Sequence, residues 1–356
     1  VIRFTLGTRT KVAVKVRYWK GSRKVVDNRR VVHGGNRPSA PRSDRTFYYG
    51  PMPDNAARPD AVTLPTDEPQ RLRSIADDLR IPGFVDIHTH FMPENVLAKV
   101  WAYFDRAEER GLRTWPIAYR WSEEERVARL RDMGVIGFTS MLYPHKPGMA
   151  AWLNSWSADF AARTPACAQT STFFPEPEAA AYTQRALESG TRVFKSHIQV
   201  GGYDPSDPLL EPVWAQIEEA GTPVVIHCGS GPVPGRHTGL DPVVEVLRRH
   251  PKLVFVIAHT GMPEYREFIQ LAEDFENVCL DTCMTFTPYV EATMPFPDDL
   301  LGRLVALQDK AVLGSDFPNI PYSYSVQIDA IRGLDLGEEF ERKVLHDNGA
   351  RLLGLD

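Results

Sequence analysis

The sequence predicts an α/β fold, a (β/α)8 (TIM) barrel preceded by a basic extension. Three observations carry this expectation. From about residue 80 onward, apolar runs of four to seven residues alternate with longer segments of helical periodicity. Eight such strand and helix pairs occupy about 275 residues, the count and size of such a barrel. The rival doubly wound sheet would want a Gly-rich phosphate turn after an early strand, and none is present.

The elements follow in order. Residues 34–70 are rich in Pro, Asn, Asp and Ser and read as linker. The expected division is therefore an N-terminal extension and linker over 1–70 and a barrel over 71–356. A short amphipathic helix from Thr66 is expected because Leu72, Ile75, Ala76 and Leu79 recur at helical spacing. Strands are expected at 84–88, 135–142, 168–174, 192–198, 223–228, 253–259, 278–281 and 311–315. Helices are expected in "PENVLAKVWAYFDRAEERG", with Pro93 at its start and Gly111 at its end, and in "SEEERVARLRDMG". The latter has Ser122 and Glu125 at capping-box spacing and ends at Gly134. "EPEAAAYTQRALESG", "DPLLEPVWAQIEEAG", "DPVVEVLRRHP", "MPEYREFIQLAEDFE", "DDLLGRLVALQ" and "EEFERKVLHDNGARLLGL" complete the series.

Composition narrows the class. A hydrophobic content of 43% with 24% charged residues is that of an ordinary soluble protein. No apolar run is long enough to cross a bilayer, and no secretory signal pattern stands at the N-terminus. Cys167, Cys228, Cys279 and Cys283 show no paired CxxC spacing and read as reduced thiols, so the expected compartment is the cytoplasm. Residues 1–46 carry 13 Lys/Arg against two Asp/Glu, a net of +11, so the other 310 residues sum to −16. A basic head of this kind could bind nucleic acid, but compositional charge alone is a weak signal and a tail is favoured.

Ionisable residues gather at the expected strand ends. His88 and His90 in "GFVDIHTHF" are two apart, and an extended strand would place both on one face. Lys195 and His197 end the fourth strand, His227 the fifth in "PVVIHCG", and His259 the sixth in "VFVIAHTG". Asp316 follows the eighth in "VLGSDFP". A lone histidine at a strand end is more often structural than a ligand. Several imidazoles and a carboxylate at one barrel mouth are costly to bury without a compensating charge, which a divalent cation supplies. Nitrogen and oxygen donors suit Zn2+ first, with Mn2+ or Fe2+ as alternatives.

These motifs together resemble the amidohydrolase superfamily, in particular its amidohydrolase-related (amidohydrolase 2) branch. That branch includes metal-dependent hydrolases and non-oxidative decarboxylases related to aminocarboxymuconate-semialdehyde decarboxylase. The resemblance covers roughly residues 80–356. It implies that His88, His90, His227 and Asp316 hold one divalent metal, with His259 beside the activated water. Asp316 or His259 would move the proton. A strand-four lysine bridges two metals in binuclear members, so Lys195 and His197 are either second-metal ligands or substrate contacts. One metal is favoured over two. Asp86 is expected to orient a ligand from behind.

Pocket walls are less marked. The stretch from Trp115 to Trp121 lies in a loop that could face a planar substrate, and Arg113 or Arg120 could pair with a substrate carboxylate. Arg236 and His237 lie on the Gly/Pro loop after the fifth strand. The candidate substrate contacts are thus Lys195, His197, Arg120, Trp121, Arg236 and His237. The expected function is a metal-dependent hydrolase cleaving an amide, lactone or ester bond of a small molecule. The alternative is a metal-dependent decarboxylase of an unsaturated or aromatic acid. A non-catalytic reading, with the basic head binding nucleic acid and the barrel as scaffold, requires salt-sensitive binding that is lost on deleting residues 1–46. The expected partner is the small-molecule substrate, with no membrane; homo-oligomerisation is left open.

Overall fold

Alternating inward residues explain how this chain closes on itself. The computed structural model describes residues 62–355. The basic head and the linker before residue 62 lie outside the described residues, as do the expectations attached to them. Among the described residues nine strands run in parallel: β1 (Phe84–Asp86), β2 (Val135–Thr139), β3 (Cys167–Ala168), β4 (Thr170–Thr172), β5 (Val193–His197), β6 (Val224–His227), β7 (Phe255–Ile257), β8 (Val278–Asp281) and β9 (Ala311–Val312). They pair in the orders β1-β2-β3 and β4-β5-β6-β7-β8-β9. β3 and β4 are one barrel strand interrupted at Gln169. The last and first strands are joined where Ile87 N donates to Leu313 O (3.0 Å) and Asp316 N to His88 O (2.9 Å). Eight barrel strands result, at the positions the apolar runs predict.

One buried apolar cluster takes a residue from strand after strand: Val85, Ala168, Val193, Val225, Val256, Cys279 and Val312. Their sequence neighbours Phe84, Phe194, Val224, Ile226, Phe255, Leu280 and Ala311 belong to the larger cluster under the helices. This is the period-two alternation of a strand buried on both faces. The next inward positions along β5, β6 and β8 are Lys195, His227 and Asp281, so the barrel interior turns from apolar to polar towards the C-terminal strand ends.

The helices obey local rules. Ser122 Oγ accepts from Glu125 N (3.2 Å) and Glu125 Oε2 accepts from Ser122 N (2.9 Å), so the capping box forms at the head of Glu123–Asp132. Glu211–Ala220 stops at Gly221, whose φ of +64° suits glycine. The helix near Thr66 is Glu68–Asp78, which buries Leu72, Ile75 and Ala76 and spans the expected boundary at residue 70.

Two helices of eight residues or more are additions to the expected series, Ala150–Arg163 and Ser325–Arg332. Their inward positions are partly polar. Asn154 accepts from Thr172 N (2.8 Å) and donates to Thr172 O (3.0 Å), and Ser157 bonds Ser140 (2.7 Å). Gln327 donates to Thr282 O (3.0 Å). Among the described residues no helix is long and apolar enough to cross a membrane.

Candidate functional site

The polar inward positions converge at the strand ends. β1 stops at Asp86, so His88 and His90 stand just past it rather than inside it, with ring centroids 5.2 Å apart. β5 and β6 pair with His197 opposite His227, and this register stacks the two rings at 4.1 Å and 11°. His259 lies 4.8 Å from His227 and 5.2 Å from His88, centroid to centroid. Asp316 Oδ1 is 2.8 Å from His90 Nε2 and 3.5 Å from His88 Nε2. His88, His90, Lys195, His197, His227 and His259 are all buried.

Each of three imidazoles is oriented from behind. His88 Nδ1 faces Asp281 Oδ2 (2.5 Å), His90 Nδ1 faces Met141 O (2.8 Å), and His259 Nδ1 faces Cys283 O (3.1 Å). Partners of these kinds require N–H at Nδ1, which leaves Nε2 as the acceptor of each neutral ring. His227 is turned the other way, with Nε2 3.2 Å from Gly231 O. Asp86 acts on the backbone rather than on a ring. It accepts from His88 N (3.1 Å), Ser315 Oγ (2.5 Å) and Tyr324 OH (3.0 Å). The site is also strained, since His259 (φ +55°) and Asp316 (φ +69°) are left-handed non-glycine residues.

Electrostatics sharpen the picture. Burial drives the His88, His197 and His227 imidazoles well below their ordinary pKa, so these rings are neutral. Burial alone would raise Asp316, but the contact with His90 Nε2 outweighs it and holds the carboxylate well below its usual range. Burial pushes Asp281 up to about 6 and lowers Lys195, whose Nζ lies 2.9 Å from His88 Nε2.

The residues present fit a divalent cation. With Nδ1–H directed at Met141 O, a neutral His90 would point its Nε2 lone pair at an anionic Asp316 oxygen only 2.8 Å away. Positive charge must stand at this point, either a second ring proton or a metal ion. Ligand atoms of His88, His259, Cys283 and Asp316 all lie within 4.8 Å of one another, the spacing of donors around one ion. His90 adjoins this group through Asp316. His227 adjoins it through the ring contact with His259.

The expected substrate contacts scatter. Lys195 and His197 are at the mouth, and Tyr143 packs on His197 at 4.6 Å. Arg120 is paired with Asp105 and lies over the Trp101 ring, and Trp121 packs edge-on to Tyr119 at 5.2 Å. Arg113 donates to Tyr289 O (3.2 Å). Trp115 is buried against Phe104 and donates to Asn319 O (2.6 Å), so it clamps the loop after β9 instead of walling a pocket. Arg236 is exposed, and His237 faces Asp204 at 3.6 Å.

Three residues at the mouth escape sequence reasoning, Tyr143, Asp281 and Cys283. Asp281 had a usable signal, as a carboxylate ending a barrel strand. Cys283 had none beyond lying two residues later.

The comparisons with known proteins agree with this architecture. A family model described as amidohydrolase matches residues 85–355. No curated protein matches the chain. Among solved structures, an uncharacterised TIM-barrel protein from Bordetella bronchiseptica is similar with a TM-score of 0.60 at 20% identity, over 76% of this chain and 98% of that one. The 5-carboxyvanillate decarboxylase of Sphingomonas paucimobilis is similar with a TM-score of 0.51 at 17% identity, over 77% and 99%. A protein of Pseudomonas putida assigned as a 2-pyrone-4,6-dicarboxylic acid hydrolase gives 0.51 at 16%, over 77% and 98%. At these identities the likeness establishes the barrel. With the family match spanning the whole of that barrel, the chain belongs to the amidohydrolase family.

Proposed function

We propose that the protein is a divalent-metal-dependent hydrolase of a small molecule carrying an amide, lactone or ester bond. The observation that supports this best is the gathering of donor atoms of His88, His259, Cys283 and Asp316 within 4.8 Å of one another, with His90 Nε2 2.8 Å from the Asp316 carboxylate. His88, His90, His227 and Asp316 would hold the ion, Zn2+ before Mn2+ or Fe2+. Bound there, a divalent cation supplies Lewis acidity and makes water a better nucleophile near neutral pH.

The chain's own residues do the rest. Either Asp316 or His259, whose Nδ1 is engaged by Cys283 O so that Nε2 is left as the acceptor, takes the proton from water and later returns it to the leaving group. Lys195 and His197 stand where they can contact a substrate, and Lys195 donates towards His88 Nε2 (2.9 Å). Oxygen-18 water distinguishes the reactions. The metal-reconstituted full chain is assayed on a panel of small lactones, esters, amides and aromatic acids. Label entering a product carboxylate supports hydrolysis. Release of CO2 without label in the organic product assigns decarboxylation and overturns the proposal.

A further inference from the structure

Cys283 sits in the mouth by construction. Its backbone N donates to Asp281 Oδ1 (2.5 Å), and the other oxygen of that carboxylate holds His88 Nδ1. Its carbonyl accepts from His259 Nδ1 (3.1 Å). The chain then doubles back, with Thr285 N donating to Cys283 O (2.7 Å) and Met284 and Phe286 both left-handed (φ +57° and +70°). One carboxylate and one strained turn therefore fix Cys283 to the same two histidines that present Nε2 to the site. The consequence is a thiol that is fully buried, makes no hydrogen bond through sulfur, and lies within 4.8 Å of donor atoms of His88, His259 and Asp316. Cys167, Cys228 and Cys279 are also buried, but none belongs to such a group among the described residues.

The bland alternative is a small apolar filler, the commonest role of a buried free cysteine. A filler needs no carboxylate and two imidazoles as neighbours. We propose that Cys283 Sγ is a ligand of the ion bound in this mouth, and that the protein therefore selects a thiophilic cation such as Zn2+ over Mn2+. This rests on the metal-dependent reading above and specifies its donor set. Oxygen and nitrogen donors alone leave Mn2+ competitive, whereas a thiolate favours Zn2+ strongly. As sulfur takes the cation, the thiol proton leaves to solvent.

The test uses the full chain stripped of metal and reconstituted with Co2+ alone. A near-ultraviolet sulfur-to-cobalt charge-transfer band is expected in the unaltered protein, lost in Cys283→Ser and retained in Cys228→Ser. The preference for Zn2+ over Mn2+, from competition with a chelator, should fall at least about 10-fold in Cys283→Ser, since loss of a partner behind a ligand already costs that much in affinity and serine replaces a soft donor with a hard one. If Cys283→Ser does not fold, zinc X-ray absorption on the unaltered protein decides. A sulfur scatterer at about 2.3 Å supports the ligand, and a shell of nitrogen and oxygen alone overturns it. Cobalt bound with visible d–d bands but no charge-transfer band overturns the Cys283 ligand and leaves the metal-dependent hydrolase standing. Failure to bind Co2+ or Zn2+ at all overturns both.

Discussion

His88 Nδ1 lies 2.5 Å from Asp281 Oδ2, although the two residues are 193 positions apart in the chain. The carboxylate fixes the imidazole tautomer and aims Nε2 into the mouth. Asp281→Asn keeps an acceptor but loses the charge, and should weaken divalent-metal affinity about 10-fold; Asp281→Ala removes the acceptor and should cost nearer 100-fold. Chelator competition on both variants reads the effect. Affinity unchanged in Asp281→Ala would show that this contact does not support a metal ligand.

The same pair explains a glycine. A Cβ on Gly314 would collide with Asp281 Oδ1 and His88 Cβ, so the chain just past β9 can run beside the pair only without a side chain there. Gly314→Ala should destabilise by about 1–3 kcal/mol, the cost of overpacking, and lower turnover as well. Gly302 is exposed in the helix Leu301–Ala306 with nothing within 4 Å of its Cβ position. Gly302→Ala should gain about 0.5–1 kcal/mol. Urea midpoints of the two variants check the contrast, and equal shifts would contradict it.

Much of this was legible because the barrel converts chain position into spatial position. Apolar alternation placed eight strands, and strand ends placed His88, His90, His227, His259 and Asp316 on one rim. What was illegible depends on partners distant in sequence. Nothing near Asp281 announces His88, and nothing in "DTCM" shows that a thiol will meet an imidazole and a carboxylate. The helices Ala150–Arg163 and Ser325–Arg332 went unread because Asn154, Ser157 and Gln327 occupy inward positions where apolar residues are sought. Arg120 looked free for a substrate carboxylate because its engagement with Asp105 forms only when the two loop segments meet.

Glu68 ties the first described helix to the barrel. It is fully buried and accepts from Arg129 Nη2 (2.5 Å), Ser325 N (2.9 Å) and Tyr119 OH (3.3 Å). Glu68→Ala leaves the largely buried Arg129 guanidinium unpaired and should cost about 3–5 kcal/mol. Arg71 makes an exposed pair with Asp329, so Arg71→Ala should cost less than about 1 kcal/mol. Denaturant unfolding ranks the two; a cost for Glu68→Ala no larger than for Arg71→Ala would remove Glu68 from that structural role.

A surface pair sets a pH dependence of known sign. The Arg303 guanidinium, bonding both oxygens of Glu273, holds that carboxyl below its usual value. A depressed folded pKa means stability that is present above the unfolded value of about 4.3 and lost as pH falls through the folded one. The pair is partly exposed, so the contribution is at most about 1 kcal/mol and is screened by salt. The stability gap between the protein and Glu273→Gln should therefore close between pH 7 and pH about 3. A gap of equal size at both ends would contradict the linkage.

Proton transfer gives the most direct trial of the proposed chemistry. Asp316 is the carboxylate that the contact with His90 Nε2 keeps ionised, and His259 presents Nε2 as the acceptor on a strained backbone beside it. Loss of a general acid or base typically costs about 10²–10⁴-fold in rate. His259→Asn should lower kcat/KM within that range. Asp316→Asn should lower it at least as far and weaken metal binding too, because it removes a candidate ligand as well as a base. Turnover is measured on whichever substrate the isotope panel identifies, with circular dichroism confirming that both variants fold. Undiminished kcat/KM in the two folded variants would take both residues out of the reaction.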